Sequence, residues 1–204
     1  MLAVGNPTDL DYPPMRMLGL LEKSFIQRPG QLAEGHEGSR QAAVAVIVRP
    51  NHGVLFIRRA ENERDPWSGH MALPGGRVDP GDATAEAAAR REVLEEVGVK
   101  LGNARKLGML DQLVSPPMTP PLIVSAFVYV IEHDPPVVLD PKEVASVHWF
   151  GLDRLIGGEG RGEFLYKHGD HELVLPRVDL DGNRIWGMTL RLVDDLVGRI
   201  QHGG

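Results

Sequence analysis

The chain has 204 residues, 42% of them hydrophobic and 25% charged, enough for one well-packed domain of ordinary globular composition, and one domain is expected in preference to two independent ones. A formal net charge of -6 argues against general nucleic-acid binding, where a basic surface supplies most of the affinity, and 0 cysteines exclude disulfides, thiol nucleophiles and cysteine-based zinc sites. No stretch approaches the roughly 18 uninterrupted apolar residues of a membrane span, and the N-terminus lacks the basic and hydrophobic regions of a signal peptide, so the expectation is a cytoplasmic protein without a membrane partner.

Residues 1–38 combine a Pro-rich start, a helical candidate over 17–27 and a polar loop, and read as an N-terminal extension, mobile or packed at the periphery. From Gln41 the pattern turns strand-like. AAVAVIV, the turn Pro50-Asn51-His52-Gly53 and VLFIRR predict a β-hairpin that opens the main domain, residues 39–204. Residues 60–72 carry no clear period. Leu73-Pro74-Gly75-Gly76 then leads through a loop into a helix predicted over 83–97, with Asp82 as N-cap and Gly98 as C-cap. Further strands are predicted at 106–114, 122–131, 146–150 and 172–174, separated by Pro-rich turns. A last amphipathic helix over 189–200 presents Leu190, Val193, Leu196 and Val197 as one stripe. The β content is substantial.

The helix over 83–97 carries the chemistry. Glu92, Glu95 and Glu96 stand at i, i+3 and i+4, so they project from one face within a single turn. That turn is the last before Gly98, where the negative end of the helix dipole costs each carboxylate about 0.3 to 1 kcal/mol and like charges at i, i+4 add a few tenths. A solvated helix face would leave this cost unanswered. A divalent cation offsets it, and Mg²⁺ or Mn²⁺ prefers hard oxygen ligands, using one or two carboxylates together with substrate phosphate oxygens.

Arg91-Glu92-Val93-Leu94-Glu95-Glu96-Val97-Gly98-Val99 resembles the second half of the box of the Nudix hydrolases, G-x5-E-x7-R-E-U-x-E-E-x-G-U with U aliphatic. The first half departs: Ala83 stands where the box has Glu, and Gly76 lies one residue too far upstream, so the loop is one residue longer. Arg58-Arg59-Ala60 and the run Gly69 to Gly76 are similar to the R-S-A, R-x3-G and F-P-G-G elements of the coenzyme A pyrophosphatase branch. Here Arg59 replaces Ser, Leu73 replaces Phe, and Asp65 stands where that branch has Arg, with Arg64 adjacent.

The resemblance implies a Nudix-like α/β/α sandwich with a mixed sheet, and a Mg²⁺- or Mn²⁺-dependent pyrophosphohydrolase acting on a small nucleotide-linked substrate. The branch points to coenzyme A or its thioesters, yielding 3′,5′-ADP and phosphopantetheine species. ADP-ribose, a dinucleoside polyphosphate or an oxidised nucleoside triphosphate are the alternatives, and a non-catalytic nucleotide-binding module is a third reading. Carried onto these positions, Glu92 and Glu96 are the principal metal ligands, Glu95 completes the site directly or through water, and the Gly76 carbonyl is a backbone ligand. Arg91 orients Glu92 or its neighbours through a charge-assisted bond. The general base is Glu92 or Glu143, the latter in the loop Asp140 to Val144 and equally readable as a solvated acid.

Arg58 and Arg59 end a strand and are placed to hold phosphates, with ordinary surface pairing as the alternative. His70 has no partner motif and is left out of the catalytic set. Among the tryptophans, Trp67 is the best candidate to stack on a base, while Trp149 and Trp186 read as core or rim. For this family the N-terminal arm is compatible with a homodimer.

Overall fold

The computed structural model describes residues 14–36, 38–63, 65, 67–115, 120–168 and 171–202; the Pro-rich start and Arg64 lie outside them. In chain order the elements are α1 (Pro14–Gln27), β1 (Arg40–Arg49), β2 (Gly53–Arg59), β3 (Met71–Ala72), β4 (Gly75–Arg77), α2 (Ala85–Val97), a 3-10 turn (Leu101–Asn103), β5 (Arg105–Met109), β6 (Leu113–Val114), β7 (Leu122–Val130), β8 (Val144–Phe150), α3 (Leu152–Ile156), β9 (Arg161–His168), β10 (His171–Leu180), β11 (Asn183–Trp186) and α4 (Gly187–His202).

The strands β1 to β8 form one mixed sheet, and β9 to β11 a separate antiparallel one. At the centre β1 and β7 run parallel, in register from Arg40 opposite Leu122 to Val48 opposite Val130. Both read as nearly unbroken apolar runs because both faces are covered. Ala43, Ala45 and Ile47 of β1 face α2, whose Ala88, Ala89, Val93 and Val97 share one core with them. Val46 and Val48 face the opposite core, shared with α1, α3, α4 and the inner residues of the small sheet, Val178, Leu180 and Ile185. The result is the expected three-layer α/β/α sandwich. Among the described residues no helix is long and apolar enough to cross a membrane.

Several predicted boundaries shift. The N-terminal helix is not peripheral: Met17, Leu18, Leu21 and Phe25 are buried in the core against α4. The hairpin of β1 and β2 forms at the predicted turn, Val48 opposite Val54. The predicted strand over 106–114 divides into β5 and β6, which pair with β7. The segment 172–174 lies inside the longer β10, flanked by β9 and β11, which the sequence reading did not anticipate. Helix α2 begins at Ala85, so Thr84 and not Asp82 is its N-cap: Thr84 is extended (φ -150°, ψ 162°) and its Oγ1 accepts the Ala87 N–H at 3.0 Å. Gly98 closes the helix as expected, left-handed at φ 71°, its N–H bonded to the Leu94 carbonyl.

Candidate active site

The acidic helix meets the glycine turn at one end of the large sheet. β4 pairs with the start of β1, placing Gly75 opposite Val44 and Gly76 opposite Ala43. Gly75 has φ 147°, and a Cβ there would lie 2.5 Å from Val44 Cα, so no side chain fits. At Gly76 a Cβ would lie 2.5 and 2.6 Å from the two carboxylate oxygens of Glu92. The paired glycines thus let the strand backbone come directly against the carboxylates of α2.

The three glutamates do not behave alike. Glu96 is only 2% exposed, and its Oε2 accepts the Gly75 N–H at 2.8 Å. Burial pushes its carboxyl up to about 8, with the Gly75 bond opposing and the charge of Glu92 reinforcing the shift. Burial also raises the Glu92 carboxyl, against the lowering influence of Arg91. Glu95 turns away, its side chain 55% exposed, held by Arg91 Nη1 at 2.9 Å. At 100° per residue Glu95 lies 60° to one side of Glu92 and 100° from Glu96, and the edge of the buried face of α2 passes between them.

Arg91 is the hub of this arrangement. Its Nη1 donates to Glu92 Oε1 at 3.0 Å as well as to Glu95. Its other edge grips Asp82 in two bonds, Nε to Oδ1 at 3.1 Å and Nη2 to Oδ2 at 2.9 Å, and Nη2 also reaches the Arg77 carbonyl at 3.1 Å. These partners hold the guanidinium charged well above its usual range, hydrogen bonding by Asp82 foremost, while the same bond holds Asp82 below the usual carboxylate range. Asp82 therefore ties the long loop to α2 through Arg91 instead of capping the helix.

Arg59 and Arg58 part company at the end of β2. Leu55 and Ile57 lie under α2, while Val54 and Phe56 face the other layer, and the alternation sends the two arginines the same two ways. Arg59 stands on the α2 side, where its charge stabilises the Glu96 carboxylate, and Asp65 holds it by two bonds at 2.9 and 2.6 Å. Asp65 in turn accepts the Trp67 N–H at 3.0 Å. Arg58 lines a cavity on the opposite face. Glu143 is exposed in the turn just before β8, its carbonyl accepting the Ala60 N–H at 2.8 Å, and its charge adds to the raised pKa of both Glu92 and Glu96. Helix α2 is anchored from below: Tyr129 donates to Glu86 Oε1 at 2.9 Å, and Arg90 Nε donates to the Tyr129 oxygen at 3.1 Å.

Among the described residues no group of three or more His, Asp or Glu converges as a ready cation cage. The convergent pair is Glu92 with Glu96, beside the Gly75–Gly76 backbone. Two carboxylates crowded against each other, one nearly sealed from water, suit a hard divalent ion that completes its shell with backbone oxygen, water and phosphate oxygens.

A model of the NUDIX domain matches residues 39–168. The chain belongs to the Nudix family. A Nudix hydrolase NudL of Cronobacter sakazakii, itself described as uncharacterised, is 32% identical over 197 residues, 94% of this chain and 98% of that protein. An uncharacterised protein of Schizosaccharomyces pombe is 40% identical over 108 residues, 50% of this chain and 33% of that one, so the chain spans a third of its length. The crystal structure of a MutT NUDIX hydrolase from Burkholderia pseudomallei is 30% identical, over 57% of this chain and 86% of that one, with a TM-score of 0.44. This Nudix hydrolase thus carries the Arg91 to Val99 half of the family box on the last turns of α2 and the two residues that follow it. Members of the family generally use divalent metal ions.

The sequence reading missed three partnerships. Asp82 is the partner of Arg91, and Asp65 that of Arg59, although the two departures from the branch pattern, Arg for Ser at 59 and Asp for Arg at 65, were already visible as a complementary charge pair. The third is the ring cluster around Trp186, which joins Trp67 and His70 to β9 and lies far from them in sequence.

Proposed function

We propose that the protein is a Mg²⁺- or Mn²⁺-dependent pyrophosphohydrolase that cleaves the diphosphate of coenzyme A or an acyl derivative, giving 3′,5′-ADP and the phosphopantetheine fragment. The observation that carries the chemistry is Glu96: a nearly sealed carboxylate, raised to about 8, bonded to the Gly75 N–H and crowded by Glu92. Glu92 and Glu96, with the Gly76 carbonyl, would hold the ion, and Glu95 serves through water. When bound, the cation neutralises the diphosphate and lowers the pKa of a water that attacks phosphorus.

The remaining roles fall to the chain's own side chains. Arg91 fixes Glu92 and Glu95 by direct bonds while Asp82 fixes Arg91. Arg59, preset by Asp65, presents its guanidinium to phosphate oxygens in the two-pronged manner that group favours. Glu143, exposed and close enough for its charge to raise both Glu92 and Glu96, would accept the proton of the attacking water. The resemblance of Arg58 to Ala60 and Gly69 to Gly76 to the coenzyme A branch supports the substrate.

Mass spectrometry of products after incubation with Mg²⁺ or Mn²⁺ and, separately, coenzyme A, ADP-ribose, diadenosine polyphosphates and nucleoside triphosphates tests the reading. Preferential release of 3′,5′-ADP from coenzyme A is the expected result. Faster cleavage of another member of the panel would leave the metal chemistry and remove coenzyme A as substrate, and binding without cleavage would favour a silent nucleotide-binding module.

A further inference from the structure

At the same sheet end, but on the face opposite α2, the chain builds a cavity of about 300 Å³ whose walls include Arg58, His70, Phe164, Tyr166, Arg184 and Trp186. The chain has only 3 Trp, 3 Tyr and 5 Phe, and two of those Trp, one Tyr and one Phe gather here. Trp186 is the centre: its ring lies 4.9 Å from Tyr166, 5.2 Å from His70, 5.3 Å from Phe164 and 6.4 Å from Trp67. None of these rings is buried, and Trp67 is 49% exposed. Rings gathered to fill a core are covered by a neighbouring element; these stay open around a hollow.

Two arginines, Arg58 and Arg184, stand in the wall. Among the described residues that line it there is no Asp or Glu, although Glu61 and Asp65 stand close enough to His70 for their charges to act on it. The Arg58 side chain is exposed and forms no ion pair among the described residues. Arg184 lies 4.8 Å over Phe164, with Nε held by Asp179 at 3.1 Å. An aromatic hollow with the exposed Arg58 at its edge matches a planar base that carries a phosphate nearby, since ring faces stack on bases and a guanidinium grips phosphate. An acyl chain would gain nothing from the arginines.

The position also fits. Met71 lines the cavity and Gly75, four residues on, bonds Glu96, so the two backbones are at most about 14 Å apart even fully extended. Arg58 and Arg59 are consecutive, one on each face, so a molecule straddling the end of β2 and β3 reaches both.

We propose that this cavity is the nucleoside subsite: a nucleobase stacks on Trp186 and Tyr166 while Arg58 meets a phosphate on its ribose. This rests on the reading of the protein as a hydrolase of nucleoside-linked diphosphates. The test uses the full chain. In EDTA, tryptophan fluorescence is titrated with adenosine 3′,5′-bisphosphate and with phosphopantetheine, for wild type, Arg58→Gln and Arg184→Gln; the same preparations, checked by circular dichroism, give kcat and KM for coenzyme A in Mg²⁺.

The expected result is saturable quenching by the bisphosphate alone, weakened at least tenfold by Arg58→Gln, with KM raised at least tenfold and kcat changed less than threefold. If coenzyme A is not cleaved yet the bisphosphate still quenches in an Arg58-dependent way, the cavity stands and only the substrate falls. Cleavage with KM unaltered in both variants overturns the proposal. So does equal quenching by phosphopantetheine, or quenching that accompanies a change in kcat alone, the mark of a free nucleotide acting as a regulator.

Discussion

Glu96 gives the site a dependence on pH whose sign follows from its burial. Because its carboxyl is raised to about 8 from an ordinary value of 4.5, the folded metal-free chain keeps a proton that the unfolded chain releases across that interval. Stability contributed by the neutral acid is therefore full below about 4.5 and is lost as pH rises through about 8. Metal-free thermal melts from pH 5 to 8.5 should fall accordingly, and Glu96→Gln should flatten that trend while removing turnover. The same proton opposes the cation, so metal affinity should climb as pH approaches 8. Gly76→Ala tests the close approach separately: its methyl would displace the Glu92 carboxylate, lowering kcat at least tenfold in a steady-state assay while circular dichroism stays unchanged. At this scale the box was legible in sequence, because its carboxylates oppose the helix dipole without another purpose. The division of labour among them was not, since i, i+3, i+4 spacing does not say where the edge of burial falls.

Helix α2 owes its position to devices at both ends and beneath. Thr84→Ala removes the side-chain acceptor of the Ala87 N–H and should cost about 1 kcal/mol in urea unfolding. The sequence announced this helix and its left-handed Gly98 but misplaced the start, because Asp82 is a good capping residue by type and Arg91 claims it first. The small sheet was harder to see. Asp181-Gly182, with φ 50° and 77°, is a two-residue turn joining β10 to β11, and Asp-Gly between VDL and NRIW was the signal for it. β9 offered less: Gly162 and Glu163 break the apolar alternation, and its Phe164 and Tyr166 meet Trp186, a residue of β11 across the sheet.

Across the whole molecule, the large sheet is held between α2 on one side and α1, α3, α4 and the small sheet on the other. The segment before β1 belongs to this construction. A buried ionic knot fastens it: Arg199 of α4, its side chain 0% exposed, donates to Asp111 at 2.9 Å, Asp195 at 3.1 Å and the Arg28 carbonyl at 2.6 Å, and lies 4.7 Å over the Phe25 ring. Arg199→Ala would remove the buried cation shared by Asp111 and Asp195, leaving them the more exposed Arg28, and would take a donor from the Arg28 carbonyl, so it should destabilise the chain by about 2 to 3 kcal/mol in denaturant unfolding. The central strands were plain in sequence because a strand covered on both faces needs an apolar run. The role of α1 was not, because its core face becomes apparent only when Leu21 and Phe25 meet α4.

The central claim is that Glu92 and Glu96 create one divalent-cation site that cleaves a diphosphate. A titration of the full chain with Mn²⁺ at pH 8, followed by electron paramagnetic resonance of the free ion, tests it most directly. One tight site in the wild type that Glu96→Gln weakens at least tenfold is the predicted result. Equal Mn²⁺ affinity in wild type and variant, or no site in either, would contradict the account.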